Sequence, residues 1–369
     1  MRTLIQGGDV VAFDGRGHRL LRDGVVVFEG TTIVAVGPSY EGPVDRRIDA
    51  RGTLVAPGFV NTHVHVGVEV MTALLDVDRR GPGRWISPSR RYVSGPPERS
   101  LTEEEQRISG EFGLVQLLKA GTTTLLDVVG SGTLWWLGNP PGDIEIFADT
   151  VGRLGARAYL SPGYRSYRVH TDESGQRGYF MTERQGFGGL QQAVRFIEGF
   201  HGAHGGRVQG MLYPHAVDNC TPDLLRETKR AAKALGVGIQ IHAAQSVGEV
   251  EVVRERTGLT PIELLADIGF LGPEVLLGHC VFIRGHSSVG GVKEGDLSLI
   301  AASGAAVAHS PRPFARQGVA LESFQQYLDA GVTMTIGTDI WPVDIISEMR
   351  LASLLCKVVD KDPRAASAA

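Results

Sequence analysis

Gly58-Phe59-Val60-Asn61-Thr62-His63-Val64-His65 places two histidines one residue apart at the end of the apolar run Leu54 to Val60. On a β-strand, residues i and i+2 point to the same face, so both imidazoles can reach one metal ion. The other reading is a pair of polar residues that merely end a strand. The rest of the chain decides between the two.

Downstream of Leu54 the sequence alternates short apolar runs with helical stretches, the texture of parallel βα units. The strand candidates are Leu54 to His65, Thr122 to Val129, Ala156 to Ser161, Val208 to Tyr213, Val237 to Ala243, Val275 to Phe282, Ala305 to His309 and Thr333 to Asp339. Start signals mark the helices between them. Thr102 with Glu105 makes a capping box, and Thr221-Pro222 and Thr260-Pro261 each put a cap residue before a first-turn proline. Eight such repeats suit a closed (β/α)8 barrel, in which catalytic groups sit at the C-terminal ends of the strands. Upstream, residues 1–53 alternate apolar and polar positions and are cut by Asp14-Gly15, Asp23-Gly24 and Glu29-Gly30. That is the pattern of short antiparallel strands. The expected domains are therefore 1–53, a unit of short strands, and 54–369, the barrel.

Composition narrows the function classes. The 369 residues are 42% hydrophobic, enough for a sizeable core, and the 37 basic and 41 acidic residues are interspersed. With a net charge of -4 there is no basic stripe for a phosphate backbone, so nucleic acid is not an expected partner. The N-terminus lacks the apolar core of a signal peptide and no run is long enough to span a bilayer, so a cytoplasmic protein without a membrane is expected. Cys220, Cys280 and Cys356 have no ligand-like spacing and suggest neither disulfides nor a thiolate zinc site.

Strand ends are the place to look for chemistry. Gly238-Ile-Gln-Ile-His242, Val275-Leu-Leu-Gly-His279 and Met334-Thr-Ile-Gly-Thr-Asp339 each stop on a metal-binding type of residue. With His63 and His65 they make five nitrogen and oxygen donors, which suit zinc and also iron(II), manganese or cobalt. Two long connections, Gly67 to Ser100 and Gly163 to Gly189, read either as lids over the barrel mouth or as solvated loops. The first carries Arg79, Arg80, Arg84, Trp85, Arg90 and Arg91, and the second Tyr164, Arg165, Tyr167, Arg168 and Tyr179. Trp85, Tyr164 and Tyr167 are candidate substrate contacts. His309 is either another or a hydrogen-bonded core residue.

The segments Pro57-Gly-Phe-Val-Asn-Thr-His63-Val-His65, Gln240-Ile-His242, Gly278-His279-Cys280 and Gly337-Thr-Asp339-Ile, in that order, resemble the amidohydrolase superfamily. Within it they resemble the branch of cytosine and guanine deaminases and triazine hydrolases, as far as about residue 355. The resemblance implies a distorted (β/α)8 TIM barrel beside a small β-sandwich. It also implies one divalent metal, zinc first, held by His63, His65, His242 and Asp339, with His279 orienting substrate or water. Binuclear branches end strand four on a lysine or acid. Here it reads Gly210-Met-Leu-Tyr-Pro-His215, so a mononuclear site is expected, with His215 a loop residue near the mouth.

Two departures matter. The deaminases of this branch carry a proton-shuttling glutamate three residues after the strand-five histidine, and here that position is Gln245. An amide donates and accepts hydrogen bonds but is no general acid or base. Glu249 and Glu251 follow and could reach in, although the stronger reading is of exposed helix acids. The expected activity is hydrolysis of a carbon-nitrogen bond in an amide, urea, carbamate or cyclic amide. The alternatives are a deaminase or dechlorinase acting on a nitrogen heterocycle, and a catalytically weak barrel serving as a binding or assembly subunit. The second departure is the ending at Pro363-Arg-Ala-Ala-Ser-Ala-Ala369, where the family continues into further sandwich strands. Exposed apolar surface and a homo-oligomer are expected from it.

Overall fold

The computed structural model describes residues 1–66, 102–128, 143–160, 162–171, 177–291 and 294–367. It divides into two compact units, Met1–Phe59 and Val60–Ala369. Among the described residues no helix is long and apolar enough to cross a membrane.

In the first unit β1 (Arg2–Phe13) pairs antiparallel with β2 (His18–Glu29), and β2 pairs antiparallel with β3 (Thr32–Gly37). The short β4 (Arg46–Asp49) and β5 (Leu54–Val55) both run parallel to β1, where an all-antiparallel set was expected. Leu4, Val25 and Val27, which face one way by the two-residue period, form its small core. Asp23-Gly24 is not a turn. It lies within β2 opposite register shifts at Gly8, with Asp23 at φ 48°, so the signal marks a bulge.

The second unit is built on two parallel sheets. One has β6 (Phe59–Val64), β7 (Thr122–Asp127), β8 (Arg157–Leu160) and β12 (Val208–Gly210) in that spatial order. The other has β14 (Ile239–Ala243), β15 (Val275–His279), β16 (Ala306–His309) and β17 (Thr333–Ile336). Parallel bridges link the sheets at both edges: Val64 with Asp339, and Leu212 with Ile239. The first is sealed by His65 N–H donating to Asp339 O at 2.7 Å and Asp339 N–H donating to His63 O at 2.9 Å. Strand four is broken, its second piece being β13 (Tyr213–Pro214), which pairs with β9 (Gly163–Tyr164). The described residues of the second long connection include the hairpin of β10 (Tyr167–Thr171) and β11 (Arg177–Met181). The first lies outside the described residues.

Local chemistry places the helices as expected. Thr102 accepts from Glu105 N–H and Glu105 reaches back to Thr102 N–H, starting the helix Glu103–Lys119. Thr221 caps Pro222–Leu235, which ends on left-handed Gly236, and Thr260 with Glu263 closes a capping box on Pro261–Asp267. Such caps are worth about 1 kcal/mol each. The larger contribution is burial: Leu125, Leu160, Ile241, Leu277 and Val307 are fully buried in one core, each worth roughly 1.5–3 kcal/mol. The last helix, Ile345–Asp360, leaves Ile346, Met349, Leu354 and Val358 exposed.

Candidate metal centre

Three strand ends, of β6, β14 and β15, and the loop after β17 bring the donors together. Ligand atoms of His63, His242 and His279 lie within 4.8 Å of one another, and so do those of His63, His65 and Asp339. His65 Nε2 is 3.0 Å from Asp339 Oδ1 and His63 Nε2 is 3.5 Å from it. Ring centroids of His242 and His279 sit 4.8 Å and 4.7 Å from that of His63. All five sequence candidates therefore meet, and every one is buried.

The close approach depends on small neighbours. A Cβ on Gly337 would lie 2.6 Å from His63 O, and one on Gly278 would lie 3.0 Å from His63 Cε1. Both glycines are needed for the strands to pass His63 at this distance. His279 and Asp339 themselves have φ of 79° and 61°, a backbone region that side-chain-bearing residues seldom adopt. Such strain persists where surrounding structure over-determines it, typically at functional sites. For Asp339 the surroundings include Asn61, whose Oδ1 accepts from Thr338 N–H and whose amide donates to Thr338 Oγ1 at 2.8 Å.

Burial favours the neutral form of His63, His215, His242 and His279. It pushes His242 and His215 well below the ordinary histidine value, and His279 down to about 3 although the Asp339 charge opposes it. For Asp339, burial works against the charged form, but the adjacent His63 and His65 imidazoles outweigh it and hold the carboxyl well below its usual range. His242 is further prepared: its Nδ1–H donates to His215 O at 2.7 Å, which leaves the Nε2 lone pair free. Neutral imidazoles beside a carboxylate are the donor set of a divalent ion such as zinc. His63 Nε2, buried in the middle of the group without a hydrogen bond of normal length, is where such an ion would supply the missing partner.

Other candidates fare differently. Tyr164 is not placed for substrate: it is buried, with its hydroxyl 3.0 Å from Thr228 Oγ1 on the helix Pro222–Leu235. Tyr167 is half-buried and packs on Arg256, whose guanidinium lies 4.4 Å from its ring and 4.3 Å from that of Tyr179. Its visible role is to hold the hairpin down. Trp85 lies outside the described residues. His215 stands just after β13, outside any strand, and is buried with its ring centroid 5.2 Å from that of His242. Among the described residues His309 Nδ1 has no hydrogen-bond partner, and its ring lies 5.9 Å from that of Phe324.

Glu249 overturns its expected exposure. It is fully buried, and its two carboxylate oxygens accept the N–H groups of Ala244 at 2.9 Å and Gln245 at 2.8 Å. Sequence reasoning also missed Asn61 and Gln240. The signal for Gln240 was available, since it stands two residues before His242 and shares its strand face.

Residues 54–369 match the amidohydrolase family. The chain belongs to that family. A 5-methylthioadenosine/S-adenosylhomocysteine deaminase of Thermococcus onnurineus is 30% identical over 376 residues, covering 100% of this chain and 78% of that protein. Among solved structures, atrazine chlorohydrolase from Arthrobacter aurescens complexed with zinc aligns with TM-score 0.72 at 23% identity, over 97% of this chain and 77% of that one. Guanine deaminase from C. acetobutylicum with bound guanine aligns with TM-score 0.70 at 14% identity, over 99% and 82%. This amidohydrolase is thus a metal-dependent hydrolase of carbon-nitrogen bonds, in the branch its motifs resemble.

One prediction concerns stability. Burial pushes His309 down to about 3. Its unfolded value is near 6.5, so the stability linked to it is present above pH 6.5 and lost as pH falls toward 3. Between pH 7 and pH 5 the loss is about 2 kcal/mol. Chelator-treated wild type and His309→Gln, unfolded in denaturant at both pH values, are expected to differ by that amount in pH dependence. Equal slopes would contradict it.

Proposed function

We propose that His63, His65, His242 and Asp339 hold one divalent ion, zinc first, at the mouth of a closed (β/α)8 barrel, and that the other unit is part of a small β-sandwich. We further propose that the substrate is an amide, urea, carbamate or cyclic amide. The observation that carries the substrate reading is at Gln245: it is an amide, and the one carboxylate bonded to its backbone, Glu249, is engaged by two N–H groups. A heterocycle that must be protonated in the ring finds no acid there.

Held by His63, His65, His242 and Asp339, a divalent ion would supply a nucleophile at neutral pH by lowering the pKa of water from about 15.7 to about 7. Asp339, ionised and beside His65, accepts a proton from the attacking water. Neutral His279 donates a hydrogen bond to the carbonyl oxygen as negative charge develops on it. The carbon-nitrogen bond then breaks, and the proton held on Asp339 passes to the leaving nitrogen. Gln245 orients substrate by hydrogen bonds without transferring a proton.

A second reading, deamination of a purine nucleoside, is favoured by the deaminase of Thermococcus onnurineus, which is similar across the whole chain. Gln245→Glu separates the two. The wild type is expected to hydrolyse simple amides and ureas, and the variant to gain 5-methylthioadenosine deamination by about 10²-fold or more. Strong deamination by the wild type, with amide hydrolysis untouched by the substitution, would favour the second reading.

A further inference from the structure

His63 and His242 present opposite tautomers to the same cluster. At His242 the acceptor His215 O fixes the proton on Nδ1. At His63 the neighbour is the side-chain amide of Gln240, whose nitrogen lies 2.9 Å from Thr62 O and 2.8 Å from His63 Nδ1. Thr62 O can only accept, so the group between them is the NH₂, and His63 Nδ1 is left as the acceptor. A neutral imidazole accepting at Nδ1 carries its proton on Nε2, the nitrogen that faces the other donors. That proton blocks a metal bond. Two buried atoms are also left without a hydrogen-bond partner, His63 Nε2 and Gln240 Oε1, in residues that are themselves fully buried.

We propose that Gln240 is the positioning residue that sets the His63 tautomer, and that loading the ion turns its amide over. The proposal rests on His63 being a ligand. Rotation by half a turn brings Oε1 to His63 Nδ1, which now carries the proton, and frees the Nε2 lone pair for the ion. The proton moves from one nitrogen of the ring to the other, so the charge of the site is unchanged by this step. His63 Nε2 gains the ion and Gln240 Oε1 gains the His63 Nδ1–H, at the cost of the bond from the amide nitrogen to Thr62 O, which then faces the amide oxygen. Partners of a ligating histidine's second nitrogen fix its ring and tautomer, and their loss typically costs 10–100-fold in metal affinity.

Zinc alone is the probe. Histidine nitrogen NMR of the chelator-treated wild type is expected to place the His63 proton on Nε2, and after one equivalent of zinc on Nδ1. Gln240→Met keeps the length of the side chain and removes both amide groups. It is expected to bind zinc about 10–100-fold more weakly in chelator competition. The same His63 tautomer with and without zinc, or an unchanged affinity in Gln240→Met, overturns the proposal while leaving the ligand assignment standing. A wild type that binds no zinc overturns both.

Discussion

Replacing His242 with alanine is expected to empty the metal site and lower hydrolysis by at least about 10⁴-fold. The geometry gives the reason. His242 is the donor whose tautomer is already set, by the 2.7 Å bond from Nδ1 to His215 O, and it lies against both His63 and His279. Without it the remaining donors are one carboxylate and two imidazoles at the β6–β17 edge, and the ion loses the ligand best prepared to hold it. Elemental analysis of the purified variant should read near zero, with turnover at background. Stoichiometric metal retained in both His242→Ala and Asp339→Ala would remove the assigned ligand set.

Asp339→Asn is the second large effect, a fall in kcat of about 10²–10⁴-fold. The amide keeps an oxygen near His65 but neither carries the charge nor takes a proton. Because the left-handed backbone of Asp339 and its hydrogen bonds to His63 and His65 are main-chain features, the loop geometry is expected to survive. The loss should therefore appear in kcat with zinc supplied in excess, and not as unfolding. A kcat within tenfold of the wild type would mean that the proton goes elsewhere.

Much of the site could be read from local chemistry. His63 and His65 share a face because strands repeat every two residues, and His242 and Asp339 could be found by asking what ends each apolar run. Thr102, Thr221 and Thr260 announced their helices because a cap acts within four residues of itself. Glu249 was misread for the opposite reason. A first-turn helix acid is ordinarily solvated, and only the reversal at Ala244, φ 50°, folds the chain back so that its carboxylate meets two backbone donors. Tyr164 failed likewise, since nothing next to it in sequence says that Thr228 lies beneath its hydroxyl.

By itself, then, the sequence determined the donor types, the strand ends that carry them, the family, and the loss of an acid at Gln245. Periodicity, capping and side-chain chemistry are short-range and can be read in order along the chain. Only the tertiary structure decided how the donors are held. Gln240 and His63 stand 177 residues apart and meet at 2.8 Å, so no local pattern encodes which nitrogen of His63 bears the proton. Gly337 and Gly278 likewise acquire their meaning only when β17 and β15 come against His63. Contacts of this kind exist only once the sheets are joined at both edges, and they decide whether an ordinary set of histidines is ready to bind an ion.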